Sequence, residues 1–531
     1  MSTANHPIQG GVAAPGLLRY RQPAGRWVLL ATVLGSGMAF IDGTVVNIAL
    51  PQIGHAFGAG AAGLEWVVNA YTLTLAAFIL LGGTLGDRFG RRRLFMIGVC
   101  WFAVASLLCG LAPNITMLVA ARALQGVGGA MLVPGSLAIL QSSFSPDDRM
   151  RAIGAWSGLA GVAGAIGPFV GGWLVQVSSW RLVFFINVPV AAVVLLVAIR
   201  HIPESANPDA AHHLDLTGAL LGVVGLFGLT YGLTEWPGRG LADPLVIGPL
   251  AIGLAGLVAF VAAEARSPSP MLPLTLFKSK TFSAVNIVTF AVYAALAGVF
   301  FFVVINLQVV AGFSPLAAGI SLLPVTILML LLSARAGALA TRIGPRIPMT
   351  AGPLLCALAL IMVSRVGAHA AYLTDVLPAL TVLGVGLSLT VAPLTATALA
   401  AAQDRNAGLA SGVNNAVART AGLLAIAILP LVSGVGTSLT NPVTLAPAYR
   451  TSMLLCATLL AIGAVIALVT IPSSYAAIRA QSGAPPTADT DTALPRRAVS
   501  PVMIYCAIGA PPLHPAAEEP ADQASSGARS R

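Results

Sequence analysis

Charge is scarce in this chain. Only 9% of its 531 residues are charged, and the only two lysines are Lys278 and Lys280. Neither lysine follows a glycine in a G-x-x-x-x-G-K-[ST] segment, so the phosphate-binding loop of that class of ATPase is missing. The metalloprotease signature H-E-x-x-H is missing too. We therefore predict no enzyme activity and no cofactor. Any energy that the protein uses is expected to come from a gradient or from another subunit and not from ATP bound by this chain.

Cysteine is also rare. The five cysteines have no metal-ligand spacing, and four of them fall in predicted helices, where Cys packs as a small apolar residue. The sequence therefore predicts no metal site, no disulfide framework and no redox motif. The cysteines are Cys100, Cys109, Cys356, Cys456 and Cys506.

Apolar residues are abundant instead. They make up 57% of the chain, and the mean hydropathy is +0.88. A soluble protein of this size would expose too much apolar surface, whereas repeated apolar runs of about 20 residues predict membrane-spanning helices. The runs do not alternate as β-barrel strands do. The fourteen predicted spans are 26–50, 65–86, 94–112, 116–140, 151–176, 182–200, 215–234, 245–264, 282–311, 317–340, 346–367, 374–400, 409–433 and 451–471.

The spans divide into two groups of six that resemble a duplication. The segment Gly82–Phe95 follows the second span of the first group, and Gly337–Arg346 repeats it in weakened form after the second span of the second group. Parallel six-helix halves are a known transporter arrangement. The domain boundaries predicted on this basis are a tail at 1–25, a six-helix bundle at 26–201, linkers with two inserted helices at 202–281, a six-helix bundle at 282–471 and a disordered tail at 472–531.

Basic residues lie mainly on one side of the predicted membrane. Of the 28 lysines and arginines, 21 fall in the tails or in the loops and span ends on the side of the tails, four fall in the loops and span ends on the opposite side, and three lie deeper within spans. This asymmetry predicts cytoplasmic termini and explains the net charge of +10 without a nucleic-acid partner. The first apolar run continues into a full span, so we expect an uncleaved anchor rather than a removed signal peptide.

The densest charge lies in Gly82–Phe95, with the sequence GGTLGDRFGRRRLF. Such charge beside the hydrocarbon either enforces topology or has a gating role. The positions that match a recurring G-x-L-A-D-R-x-G-R-K/R pattern are Gly83, Leu85, Asp87, Arg88, Gly90, Arg91 and Arg92.

Asp42 is the only acidic residue predicted well inside an early span. A carboxylate within a membrane is costly and therefore indicates function. Arg122, in the fourth span, lies at a similar predicted depth, so we expect the two to pair and expect Gln125 to help relay a proton. The alternatives are a static pair or an Asp42 that caps a kinked segment. No second buried carboxylate is predicted, which favours neutral, monocationic or weakly acidic amphiphiles as substrates.

The fifth span has small residues at every third or fourth position, in GVAGAIGPFVGG. Such a face permits close helix packing, and a proline within it permits bending. We expect either a tight helix contact alone or, in addition, a hinge and seal at an outer gate. The residues concerned are Gly161, Gly164, Gly167, Pro168, Gly171 and Gly172.

Together these segments resemble motifs of the major facilitator superfamily, and specifically its 14-helix drug:proton antiporters of the EmrB/QacA type. The loop, the run from Asp42 to Pro51, the run from Arg122 to Gly129 and the fifth-span glycines carry the resemblance, with Trp180–Pro189 and 406–422 as further matches. It covers about residues 26–471. One departure is Thr341, which stands where the second loop copy would have Asp. The resemblance implies that Asp87 and the loop arginines latch the two halves together at the cytoplasmic side.

The function predicted from this resemblance is proton-coupled efflux of lipophilic drugs across a bacterial inner membrane by alternating access. Asn47 and Arg419 are candidate cavity residues, and the inserted helices are expected outside the transport path. Partners would be a lipophilic substrate, protons and the lipid bilayer, and the sequence identifies no accessory export subunit. A proton-coupled uptake symporter stays open as an alternative, as does a non-transporting membrane receptor or intramembrane enzyme, although no intramembrane catalytic cluster is visible.

Overall fold

The computed structural model describes residues 18–206, 215–267, 270, 272–402, 407–435 and 438–481. Within these ranges every regular element is helical, with a 3₁₀ turn at Leu274–Lys278 and a π turn at Tyr372–Val376. The α-helices are α1 Pro23–Phe57, α2 Ala61–Phe89, α3 Arg91–Leu111, α4 Ile115–Ser143, α5 Pro146–Val177, α6 Leu182–Phe185, α7 Asn187–His201, α8 Leu216–Arg239, α9 Pro244–Arg266, α10 Lys280–Val309, α11 Pro315–Ser321, α12 Leu323–Ile343, α13 Arg346–Val363, α14 Leu377–Ala400, α15 Ala407–Ser433, α16 Pro442–Thr470 and α17 Tyr475–Gln481.

The apolar runs form long helices. Thirteen helical segments of the described chain are long and apolar enough to cross a membrane, and α5 contributes a shorter apolar stretch, Val162–Val177. These segments coincide with the fourteen predicted spans. The chain is therefore a multi-pass membrane protein, and its helices are long because the backbone can satisfy its own hydrogen bonds in lipid only within such segments.

Three spans are interrupted where the sequence predicted continuous helix. The sixth is broken between α6 and α7, the tenth between α11 and α12, and the twelfth opens with the π turn before α14. Pro189, Pro324 and Pro378 lie within the first three residues after these breaks. Proline cannot donate to the helical hydrogen-bond ladder, so it is tolerated only in the first turn of the helix that follows.

The tight turn after α2 is a single glycine. Gly90 lies between α2 and α3 with φ of 108°, a conformation that L side chains rarely adopt. In the second copy of the motif, Gly344 likewise has a positive φ, 83°, and Pro345 follows it before α13 begins.

The tail predicted from residue 472 begins with structure. Helix α17 lies against α14, and Ile478 is fully buried. Burial raises the pKa of the Tyr475 phenol, which lies beside Thr397 of α14. The expectation of disorder was therefore wrong for this helix, because its apolar residues find a partner that the local composition did not reveal. Residues 1–17 and 482–531 lie outside the described residues.

Each group of six spans packs mainly within itself. In the first half α1 packs against α5 and α7, and α4 packs between α2 and α3. In the second half α10 packs against α15 and α16, and α14 packs against α12 and α13. The halves meet through α1 with α10, α2 with α15, and α5 with α11 and α12.

The apolar core shows which end of the molecule is closed. One buried cluster is confined to the first half and lies toward the end that carries Gly82–Phe95, which we call the arginine-loop end. The other cluster extends through the second half, and its members in the first half, from Val45 onward, lie toward the opposite end, where they join the core of α10. The two halves are therefore packed together away from the arginine-loop end.

Polar contacts hold the halves together at this closed end. Gln52 Nε2 of α1 donates to Gln308 Oε1 of α10 at 3.3 Å, and Gln308 Nε2 donates to the Ile48 carbonyl at 3.0 Å. The Leu316 N–H of α11 donates to Gln176 Oε1 of α5 at 3.3 Å.

The inserted helices form a pair beside the seam between the halves. Helix α9 packs on α8, and α8 contacts both α2 of the first half and α15 of the second. The pair is therefore attached through α8 to two helices that belong to different halves.

Candidate functional site

Asp42 and Arg122 form an ion pair inside the first half. Asp42 lies near the middle of α1 and Arg122 in the first third of α4, and their exposed fractions are 0% and 1%. Asp42 lies in the interior of α1, which runs from Pro23 to Phe57, and not at a helix end. A buried pair without further hydrogen bonds would not recover the cost of leaving water. The neighbouring residues are therefore decisive.

Gln125 connects the two charges. Its Oε1 accepts a hydrogen bond from Arg122 Nη1 at 2.6 Å, and its Nε2 donates to Asp42 Oδ1 at 2.8 Å. It lies one helical turn after Arg122, so both side chains leave α4 on the same face. An amide that accepts from the cation and donates to the anion stabilises both charges at once.

Asn187 and Ser106 complete the polar cluster from two other helices. Asn187 Nδ2 of α7 lies 3.3 Å from Asp42 Oδ1 and 3.0 Å from Ser106 Oγ, and the Ser106 hydroxyl donates to the Phe184 carbonyl at 2.8 Å. Both residues are buried. Neither residue was predicted from the sequence as part of the site. Asn187 lies in Trp180–Pro189, one of the segments that resemble family motifs. An isolated amide in an otherwise apolar run was the feature that could have identified it.

Arg122 is also held on its other sides. Its Nε donates to the Val67 carbonyl of α2 at 3.0 Å, and its guanidinium lies 4.4 Å from the Tyr71 ring centroid. Tyr71 itself donates to the Ala39 carbonyl of α1 at 3.2 Å. The arginine therefore links α1, α2 and α4, and any change in the charge of Asp42 acts on three helices.

The glycines of α5 bring that helix against the Asp42 helix. A side chain at Gly164, Gly167 or Gly171 would meet Phe40, Thr44 or Val45 of α1, respectively. Thr44 Oγ1 donates to the Gly164 carbonyl at 3.0 Å. Gly161 lies in the same helix, one turn before Gly164.

The end of the same glycine run contacts the second half. A side chain at Gly172 would meet the Pro315 carbonyl of α11, and one at Gly319 of α11 would meet the Pro168 carbonyl. Helix α5 therefore packs closely against α1 on one face and α11 on another. This geometry supports the seal proposed for the fifth span, in addition to a tight helix contact.

Among the described residues, the charged side chains of the arginine loop have their ion pairs and hydrogen bonds within their own half. Asp87 pairs with Arg91 at 2.8 Å, and Glu204 accepts from the backbone N–H groups of Arg92 and Arg93 at 3.1 and 3.2 Å. Arg88 lies over the ring of Phe89. Gly83 leaves room for a methyl group, with Pro134 Cβ nearest at 3.8 Å. The latch to the other half stays a prediction for a state closed at this end.

The two predicted cavity residues have different surroundings. Asn47 is buried, and its Oδ1 has no hydrogen-bond partner among the described residues. Arg419 of α15 is partly buried and interacts electrostatically with Tyr71. Arg419 therefore approaches the Asp42 cluster from the second half, while contact of either residue with substrate stays a prediction.

The expectation of a single buried carboxylate was wrong. Glu65 is 1% exposed and Glu264 is 2% exposed. Glu65 was not predicted to be buried because the second span was expected to begin at that residue, at the membrane surface. Helix α2 begins earlier, at Ala61, so Glu65 lies one turn inside it. The preference for neutral, monocationic or weakly acidic substrates rested on the absence of a second buried carboxylate, so it no longer holds.

A two-half helical bundle with a buried, bridged ion pair beside the seam defines a secondary transporter. Comparison with known proteins agrees, since the model of the family described as Major Facilitator Superfamily matches residues 32–426. This chain belongs to that superfamily.

Named relatives cover most of the chain. It is 37% identical over 402 residues to the multidrug resistance protein Stp of Mycobacterium tuberculosis, a match that covers 76% of this chain and 74% of the relative. It is 35% identical over 433 residues to the tetracenomycin C resistance and export protein of Streptomyces glaucescens, covering 81% and 79%. It is 36% identical over 414 residues to the puromycin resistance protein pur8 of Streptomyces alboniger, covering 77% and 81%.

Solved structures share the fold at low identity. A transporter of the POT family in complex with a thioalcohol-conjugated peptide has a TM-score of 0.65 at 13% identity, covering 85% of this chain and 98% of the other. A bacterial homologue of the human lysosomal transporter Spinster, inward-facing and unoccupied, has a TM-score of 0.60 at 19% identity, covering 85% and 97%. The prediction of a major facilitator fold is confirmed.

Proposed function

We propose that this protein exports lipophilic antibiotics or drugs in exchange for protons. The observation that carries the proposal is the Asp42–Arg122 pair, bridged by Gln125 and buried in the helix that the α5 glycines pack against. Relatives named for drug resistance and antibiotic export support the direction of transport and the class of substrate. The proton gradient is the energy source in this proposal, with no cofactor.

The coupling step is a change of charge at Asp42. As a carboxylate, Asp42 holds Arg122 and accepts from Gln125; as a protonated acid it no longer attracts the guanidinium. Arg122 then relies on the Val67 carbonyl and on Tyr71, both in α2. Protonation therefore loosens α1 from α2 and α4, which is a differential interaction of the kind that shifts a conformational equilibrium.

The conformation described corresponds in this proposal to the state open toward the cytoplasm. The halves are joined at the end opposite the arginine loop, where Gly172 and Gly319 allow α5 and α11 to meet. The distribution of basic residues supports a cytoplasmic arginine loop, cytoplasmic termini and a bacterial inner membrane. Cysteine at position 92 in a cysteine-free protein should be labelled only from the cytoplasmic side, and ready labelling from outside would overturn this orientation.

Inverted membrane vesicles provide the test of function. Respiration acidifies their interior, so a proton-coupled exporter should accumulate labelled substrate inside and dissipate the acid gradient. The panel should include puromycin and tetracenomycin C, for which relatives are named. Accumulation that is unaffected by collapse of the pH gradient would contradict proton coupling, and gradient-driven loss of substrate from the vesicles would indicate uptake.

A further inference from the structure

A second polar cluster lies between α2 and the inserted helix α8, apart from the Asp42 site. On α2, Glu65 and Asn69 are one turn apart and face the same side, and on α8 the same holds for Thr230 and Thr234. All four residues are at most 1% exposed. Glu65 interacts with Thr234, so the deeper residues of these antiparallel helices, Asn69 and Thr230, lie at a similar level.

This cluster has unmet hydrogen-bonding capacity. Glu65 Oε2, both polar side-chain atoms of Asn69 and the hydroxyls of Thr230 and Thr234 have no hydrogen-bond partner among the described residues. Buried polar atoms in native proteins nearly always have partners, so a concentration of exceptions calls for an explanation such as an ion, a proton or water. The cluster is therefore a candidate site rather than ordinary packing.

The cluster lies at the depth of the ion pair but on another face of α2. Glu65 precedes Val67 by two residues, about 3 Å along the helix, and the Val67 carbonyl binds Arg122. Tyr71, which contacts Arg122, is roughly 120° around α2 from Glu65. Glu65 therefore faces α8 and not the Asp42 cluster.

The charged groups around Glu65 do not neutralise a carboxylate. The ionisable residues on the helices packed against α2 are Arg26, Asp42 and His55 of α1, Arg91, Arg92, Arg93, Cys100 and Cys109 of α3, Arg122 of α4, Tyr231, Glu235 and Arg239 of α8, and Arg419 of α15. Glu235, the charged neighbour with which Glu65 interacts, is itself acidic and pairs with Arg239 at 3.0 Å. Arg122 is paired with Asp42.

We propose that Glu65 is a proton-binding carboxyl, separate from Asp42, whose proton is held between α2 and the inserted helix α8. An ionised carboxylate buried without a cation is costly, whereas a protonated acid is neutral and has an O–H group that can donate to the neighbouring hydroxyls. Release of that proton leaves a charge between two helices and beside Glu235, so it favours separation of α8 from α2. Because α8 also contacts α15, proton occupancy at Glu65 is linked to the seam between the halves.

Infrared spectroscopy of the purified full-length protein in nanodiscs tests this inference without any substrate. A protonated carboxylic acid has a carbonyl band distinct from that of a carboxylate, and labelling the protein with ¹³C-glutamate shifts the bands of glutamates but not of Asp42. We expect a shifted acid band that is abolished in Glu65→Gln and retained in Asp42→Asn. Because Glu264 is the other glutamate that is buried among the described residues, Glu264→Gln is the matched control and should leave the band in place.

A titration separates a proton-exchanging site from a permanently neutral acid. The Glu65 band should disappear reversibly as the pH is raised and should shift in D₂O. Absence of a glutamate acid band, retention of the band in Glu65→Gln, or a band that neither titrates nor exchanges would each overturn the inference. The labelled wild-type protein gives this answer even if Glu65→Gln fails to fold. Export could fail through Asp42 alone while these bands behave as expected, so the two proposals can fail separately.

Discussion

Gln125 donates to Asp42 at 2.8 Å while its other amide atom accepts from Arg122, so a neutral side chain fixes the geometry of a buried ion pair. The contacts at position 42 therefore depend on the charge of Asp42, because Arg122 and Gln125 of α4 both direct N–H groups toward it. An asparagine at this position would place its own N–H group against these donors.

Asp42→Asn should abolish transport driven by the pH gradient while the protein still inserts and binds substrate. The amide cannot take up or release a proton, so the charge change that loosens Arg122 no longer occurs. Uptake of labelled substrate into inverted vesicles with an imposed gradient is the measurement. Asp375→Asn, at an exposed residue, is the control and should retain activity. Full gradient-driven transport by Asp42→Asn would contradict the coupling role.

Arg122→Ala should destabilise the protein by about 3–5 kcal/mol, because it leaves Asp42 buried without its cation. The double variant Asp42→Asn with Arg122→Ala should lose less than the sum of the two single variants, since neither charge is then left alone. Thermal unfolding of the detergent-solubilised variants measures this. Strictly additive losses would show that the pair is energetically independent despite its contact.

The spans and the pairing of Asp42 with Arg122 could be read from the sequence, and the rest of the polar cluster could not. Long apolar runs and relative depth in the membrane are properties of one helix at a time. Ser106 and Asn187 join the cluster only because α7 packs against α1 and α3 packs against α4 and α7, which no local pattern encodes. Glu65 was misjudged because an error of one turn in the start of α2 changes a terminal residue into a buried one.

Gly172→Val should prevent closure of the end opposite the arginine loop. The added side chain would meet the Pro315 carbonyl, and the backbone there cannot move aside as a flexible side chain would. We expect transport to fall at least tenfold and a cysteine placed at Gln52 to become accessible to labelling from outside. Gly248→Ala in α9 is the control, because nothing lies within 4 Å of a methyl group there. Unchanged labelling at position 52 would show that α5 and α11 do not form the seal.

Gly90→Ala should destabilise the arginine loop even though the change adds only a methyl group. Residue 90 has φ of 108°, which is strained for any L side chain, and the new Cβ would lie 2.7 Å from Glu204 Oε1. Backbone strain of this kind costs about 1–3 kcal/mol. Gly83→Ala, in the same motif but within α2 and with its nearest contact at 3.8 Å, should instead be neutral or stabilising, because alanine favours helix. Thermal unfolding compares the two variants.

Combining Gly90→Ala with Glu204→Ala removes the side-chain clash but leaves the strain and deprives the Arg92 and Arg93 N–H groups of their acceptor. The double variant should therefore stay less stable than wild type, and a fully restored melting temperature would show that the clash, and not the backbone conformation, requires glycine at position 90.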